Sequence, residues 1–155
     1  MTYVRLAETR DAESWAEMRH ALWPDGPLAE HAHEIAAFFR GGLPDLAAAL
    51  VAVGADDRLV GFAEVSERQF AEGCTTQPVA YLEGWYVAPE ARGRGVGRAL
   101  VAAAEAWGCE RGHRELASDT ELVNEASAAA HQALGFEQVA VIRCFRKVLE
   151  PGAAT

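Results

Sequence analysis

The stretch YLEGWYVAPEARGRGVGRAL, residues 81–100, runs from a nearly apolar segment through a proline turn into a loop carrying three arginines and three glycines. Its first half reads as a strand that stops at Pro89. Its second half opens a helix from Gly95 to about Arg111, with Val96, Leu100, Ala103 or Ala104, and Trp107 on one apolar stripe. Gly93, Gly95 and Gly97 allow positive φ and close approach to a ligand, and a helix start presents N–H groups without intrahelical acceptors. Arg92, Arg94 and Arg98 add positive charge, so the loop reads as an anion cradle suited to a pyrophosphate. It is not a Walker A loop, since no Gly-Lys-Ser/Thr follows, and its glycine spacing is not that of a dinucleotide fingerprint. Glu83 is the anomaly. A strand interior disfavours glutamate, and burying a carboxylate costs several kcal/mol, roughly, unless something compensates it.

Working outward, "YVRLA" alternates as a first strand. Thr9 is a plausible N-cap for a helix bearing Trp15, Met18 and Leu22 and ended by Pro24. A second helix carries Leu28, Ala32, Ile35 and Phe38 or Phe39, and Gly41 and Gly42 terminate it. "AALVAV", a turn at "DD", and "LVGFAEVSE" form a hairpin-like strand pair. "ELASD" is a short strand, "NEASAAAHQAL" a helix stopped by Gly135, and "FEQVAVIRCFRKVL" a last strand. The order β-α-α-β-β-β-α-β-α-β predicts an α/β or α+β sheet with helices packed on it. Residues 1–149 form a single domain, followed by a flexible tail at 150–155.

Composition sets the remaining bounds. The 155 residues carry 23 acids against 14 bases, a net charge of −9. Such a surface repels nucleic acid and anionic membranes and attracts a cationic small molecule, although the excess acid also simply keeps a protein soluble. No stretch approaches the ~20 apolar residues of a membrane span, and the N-terminus lacks a signal peptide's basic and apolar regions, so a cytoplasmic location is expected. Cys74, Cys109 and Cys144 are odd in number and far apart, His31 and His33 do not share a helix face, and no metal site is expected.

Arg92-Gly93-Arg94-Gly95-Val96-Gly97, between strand and helix, resembles the Arg/Gln-x-x-Gly-x-Gly/Ala signature of the GCN5-related N-acetyltransferase superfamily. "NEASAAAHQALGF" is similar to that superfamily's second half. Further segments resemble its aminoglycoside 6′-N-acetyltransferases: "ALWPD" (21–25), "GFAEVSER" (61–68), "YLEGWYV" (81–87), "ASDTELVN" (117–124), "AHQALGF" (130–136) and "FRK" (145–147). The resemblance implies a mixed, largely antiparallel sheet with splayed middle strands. It also implies acetyl-CoA with its pyrophosphate on the backbone of residues 93–98, its pantetheine arm on main-chain groups of Trp85, Tyr86 and Val87, and a contact from Asn124. Acceptor-site residues map onto Trp23, Glu83 and Asp119, and a homodimer is implied. Phe70, Gly26 and Ala140 stand where relatives carry tyrosine, histidine and an acid.

Acetyl transfer to an amine needs a neutral amine, a polarised carbonyl and a protonated leaving thiolate. Glu83, in what its strand predicts to be an apolar setting, either anchors the amine or takes its proton, directly or through water, unless it pairs with an arginine or faces solvent. Asp119 follows a strand, where an ordinary turn or N-cap aspartate also sits. Trp23 either caps the core or offers an aromatic wall to sugars and ammonium groups. His131, in the register of the superfamily's tyrosine acid, is a packed helical histidine or a proton donor. A backbone N–H near Val87 would polarise the carbonyl. The acceptor is then an aminoglycoside, or else a polyamine, another metabolite amine or a peptide N-terminus. A non-catalytic domain binding acetyl-CoA or a drug is the remaining alternative.

Overall fold

The structure is a computed structural model that describes residues 1–152. Five strands form one sheet in the order β1-β2-β3-β4-β5: β1 (Tyr3–Leu6), β2 (Ala48–Val53), β3 (Leu59–Arg68), β4 (Val79–Val87) and β5 (Leu116–Ser118). The first four are antiparallel and β5 runs parallel to β4. The expected mixed, largely antiparallel sheet is therefore what the chain builds.

Helices cover both faces. β2 is buried along its whole length because its alternate residues feed two cores. Leu50 and Ala52 meet Val96, Leu100, Val101 and Ala104 of helix α3 (Val96–Glu110) on one face. Val51 and Val53 meet Trp15 and Met18 of α1 (Ala12–Leu22) and Ile35 of α2 (Leu28–Phe39) on the other. Fully burying a side chain such as Leu100 stabilises the fold by about 1.5–3 kcal/mol, so the α3 stripe anchors that helix firmly. Helix α4 (Glu125–Ala133) runs after β5.

Three local expectations change. Thr9 is not the cap of α1: a short 3-10 turn over Thr9–Asp11 precedes that helix, and Asp11 Oδ2 accepts the Glu8 N–H at 2.7 Å. On α2, Leu28 and Ala32 face solvent and His31 is buried in their stead, its Nε2 3.1 Å from Trp23 O. The last strand, "FEQVAVIRCFRKVL", does not form in this chain: residues 136–152 carry no strand pairing. Phe136 and Leu134 still pack on the α3 core, and a Cβ on Gly73 would collide with Val139. Beyond Val139, Val141, Ile142, Phe145, Val148 and Leu149 all lie open to solvent. Alternation creates strand propensity, but it does not by itself produce pairing. The tail expected at 150–155 falls partly outside the described residues.

Candidate active site

The anomaly of Glu83 resolves in the register of β3 and β4. Val65 faces Leu82 and Glu64 faces Gly84, so Glu83 is an extra residue with no opposite number. A bulge re-aims side chains and bends its strand. Both consequences are visible. Glu83 and Gly84 turn to the α1 side of the sheet, where a cavity of about 620 Å³ is lined by Trp23, Ser66, Arg68 and Glu83. Pairing between β4 and β5 ends at Leu82–Ser118, leaving β4 from Glu83 to Val87 without a strand on that side among the described residues.

In this gap the main-chain groups are sorted by the antiparallel alternation. Ala88 N–H donates to Val60 O at 2.8 Å, which commits Tyr86 to Phe62 and turns Trp85 and Val87 towards the gap. Tyr86, expected among the cofactor contacts, is spent on β3. Val87 O accepts from Arg92 Nε at 2.9 Å, so Val87 offers its N–H.

The cradle lies at the end of the same strand. Gly93 (φ 75°) and Gly95 (φ 83°) both adopt the left-handed conformation, and neither faces any atom where a Cβ would stand. Ala99 N–H bonds to Gly95 O, so α3 begins at Val96, and the N–H groups of Val96, Gly97 and Arg98 have no helical acceptor. Gly97 is needed for a different reason: Trp85 Nε1 donates to Gly97 O at 3.2 Å, and a Cβ on Gly97 would press the indole at 3.2 Å. Arg94 and Arg98 are exposed, whereas Arg92 folds back over Tyr86.

Glu83 is half-buried among polar partners, not in the apolar setting its strand suggested. Ser66 Oγ donates to Oε1 at 2.5 Å, and Arg68 donates to Oε1 and Oε2 at 2.8 and 2.7 Å. The fully buried strand carboxylate is instead Glu64, which accepts from Trp15 Nε1 at 3.1 Å and lies 2.9 Å from Arg19 Nε. Burial pushes its carboxyl up, and Arg19 only partly offsets this. Arg19 also donates to Glu34 at 2.8 Å and sits 5.2 Å from the Trp23 ring. Trp23 packs edge-on against Phe62 and stacks on His31. Its indole reaches the strand only because residue 84 is glycine, where a Cβ would lie 2.6 Å from Cη2. Five carboxylates, Glu34, Asp45, Glu64, Glu67 and Glu83, line the cavity against the guanidiniums of Arg19 and Arg68.

Asp119 accepts a hydrogen bond from the Tyr81 hydroxyl. Burial, reinforced by Asp119, raises that phenol well above its ordinary value, so it stays a donor. The Arg68 guanidinium lies 3.6 Å over the Tyr81 ring and joins Asp119 to Glu83 through one chain of contacts. His131 stands apart from this cluster, at the mouth of the gap, with its ring 5.2 Å from Trp85. Its Nδ1 lies 2.7 Å from Ser127 O, which only accepts, so Nδ1 carries the hydrogen and Nε2 faces Ser118 Oγ at 2.8 Å. Asn124 caps α4, its Oδ1 accepting from Ser127 N–H at 3.0 Å. Near Gly26, where a histidine was absent, His20 Nδ1 lies 3.1 Å from Gly26 O and His31 lies alongside. Phe70 and Ala140 are exposed. Arg68, Tyr81, Ser66, Arg19 and Glu64 were not singled out from sequence. The signal for Ser66 and Arg68 was their two-residue spacing on the strand next to Glu83.

A bulged central strand thus opens a gap towards a glycine-rich helix start. The chain belongs to the Acetyltransferase (GNAT) family, whose sequence pattern matches residues 14–136. It is 56% identical over 146 residues to the aminoglycoside N(6′)-acetyltransferase type 1 of Klebsiella aerogenes, spanning 94% of this chain and 96% of that protein. It is 44% identical to the enzyme of the same name from Stenotrophomonas maltophilia, across 97% of this chain and 95% of that one. Among solved structures it resembles AAC(6′)-Iy in complex with the bisubstrate analogue CoA-S-monomethyl-acetylneamine, at TM-score 0.87 and 37% identity over 96% of this chain and 99% of that one. Among the described residues no helix is long and apolar enough to cross a membrane, and no cluster of side chains could hold a metal ion.

Proposed function

We propose that residues 1–149 act as one domain that transfers the acetyl group of acetyl-CoA to the 6′-amino group of aminoglycosides, an antibiotic-resistance activity. The observation that carries this is the placement of a carboxylate-lined cavity and an anion cradle at two stations of one bulged strand. A polycation and a polyanion are thereby brought to the same backbone. The cradle fits acetyl-CoA because Gly93 and Gly95 leave open space above the free N–H groups of α3. Exposed Arg94 and Arg98, the side-chain NH2 of Asn124, whose Oδ1 caps α4, and the gap-facing main chain of Trp85 and Val87 complete its contacts.

Acetyl-CoA supplies a thioester, whose C–S bond breaks as the C–N bond to the amine forms. Glu83 anchors the incoming ammonium, and Asp119 and Trp23 hold the rest of the acceptor. The amine sheds its proton to water held between carboxylates, since a carboxylate is a poor direct base for an amine. The Val87 N–H polarises the acyl oxygen. His131 protonates the departing sulfur. With Nδ1 committed to Ser127 O, Nε2 is the ring atom left to deliver that proton.

A thiol-release assay with acetyl-CoA and a panel of amines tests this reading. Turnover of aminoglycosides bearing a 6′-amine, but not of 6′-hydroxyl analogues, is the expected result. Turnover restricted to polyamines or peptides would overturn the acceptor, and ligand binding without any turnover would overturn catalysis.

The chain works as a homodimer in the cytoplasm, where acetyl-CoA is made. The segment beyond Val139 supports dimerisation: its apolar side chains are open to solvent, and Arg143, Arg146 and Lys147 complement the acidic body of a second copy. A net charge of −9 argues against nucleic acid or an anionic membrane as the cover.

A further inference from the structure

The carboxylate that the proposed reaction needs is already in use. Both Glu83 oxygens are engaged by Arg68, at 2.8 Å from Nε and 2.7 Å from Nη2, with Ser66 Oγ a third donor at 2.5 Å. An acceptor ammonium must therefore share or take the position the guanidinium holds. The groups around Arg68 make release feasible. Its side chain is 44% exposed, so a freed guanidinium regains water. Its flat face rests 3.6 Å over Tyr81, whose hydroxyl leads to Asp119, so a second carboxylate waits along the same ring. Glu67, the adjacent acid in the chain, is held by Arg111 at 2.8 Å and does not compete for it.

We propose that Arg68 is a resident stand-in for the acceptor's ammonium, displaced along Tyr81 when an acceptor enters, and that it thereby selects polycations over monoamines. A monoamine offers Glu83 one charge in exchange for the bidentate guanidinium it evicts, an exchange with little to favour it. A polycation brings further ammonium groups to Asp45 and to the Glu34 oxygen that Arg19 leaves open, on the same cavity wall, and these offset the eviction. The inference rests on the reading of Glu83 as the amine anchor and goes beyond it by making the neighbouring arginine the discriminating element.

Two measurements test it. Arg68→Gln should lower KM for a small primary monoamine about tenfold, and for an aminoglycoside about threefold or less, with KM for acetyl-CoA unchanged. Arg68→Lys, keeping the charge, should restore most of the discrimination. A fall in kcat at constant KM for both acceptors would show instead that Arg68 merely orients Glu83, and equal KM changes for the two classes would also overturn the proposal. Independently of turnover, the Arg68 Nε–H resonance of arginine-labelled wild-type protein should shift on titration with an aminoglycoside. A stationary resonance while the drug binds refutes displacement alone, whereas an enzyme that acetylates no aminoglycoside refutes the acceptor assignment.

Discussion

Gly84→Ala is the sharpest perturbation of the acceptor side. A Cβ at residue 84 would stand 2.6 Å from Trp23 Cη2 and 2.9 Å from Cζ2. Carbon contacts settle near 3.5–4.0 Å, so the indole must retreat by about 1 Å. It has little room, because its faces and edges meet His31, Phe62 and the Arg19 guanidinium. Overpacking of this kind costs about 1–3 kcal/mol. Misplacing a substrate-positioning group by about 1 Å lowers turnover by up to about 100-fold. The cradle lies farther along β4 and does not touch Trp23. Steady-state kinetics should therefore show aminoglycoside kcat/KM falling about 10- to 100-fold, while the Kd for CoA by calorimetry changes less than about twofold. Loss of CoA binding in a folded variant, or unaltered acceptor kinetics, would refute Trp23 as the cavity wall.

Glu83→Gln should lower aminoglycoside kcat/KM by about 10- to 100-fold, the equivalent of losing a hydrogen bond to a charged group, with CoA affinity preserved in the same calorimetric assay. Gly95→Val forces a branched residue to φ 83° at the start of α3, which should cost about 1–3 kcal/mol and weaken CoA binding before acceptor binding. Asp11 accepts two hydrogen bonds from Arg5, at 2.7 and 3.0 Å, and Arg5 holds its carboxyl below the usual range. A lowered folded-state pKa contributes stability above the unfolded value that is lost as pH falls through the folded one. Asp11→Asn should thus cost about 1.5–3 kcal/mol in urea titrations at pH 7, with the gap to wild type closing below about pH 4. A pH-independent gap would contradict that linkage. For the proposed homodimer, Phe145→Glu should shift the sedimenting species from dimer to monomer, and an unchanged mass would remove the C-terminal segment from the proposed interface.

Most local chemistry was legible in the chain, the Thr9 cap being the exception. The glycine-rich loop, the α3 stripe, the β2–β3 hairpin and the stop at Pro24 depend on neighbours a few residues apart, and each formed as expected. The cradle was legible for the same reason, because it is made of consecutive backbone and one helix end. Burial on α2 was not: Leu28 and His31 exchange places because His31 finds Trp23 O, a partner eight residues away in the chain. The last strand did not form, although edges of the open sheet stand free among the described residues, so alternation alone did not decide pairing.

Glu83 marks the division most clearly. Its oddness in an apolar strand was visible at once, and the sequence by itself placed a carboxylate on the strand that leads into the cradle, with pairing to an arginine left open as one of its readings. Only tertiary structure decided what that charge meets. The one-residue register step against Glu64 and Val65 turns it into the cavity, and Ser66 and Arg68, on the neighbouring strand, occupy it. Strand pairing sets such contacts between residues fifteen or more positions apart, and no local propensity encodes them.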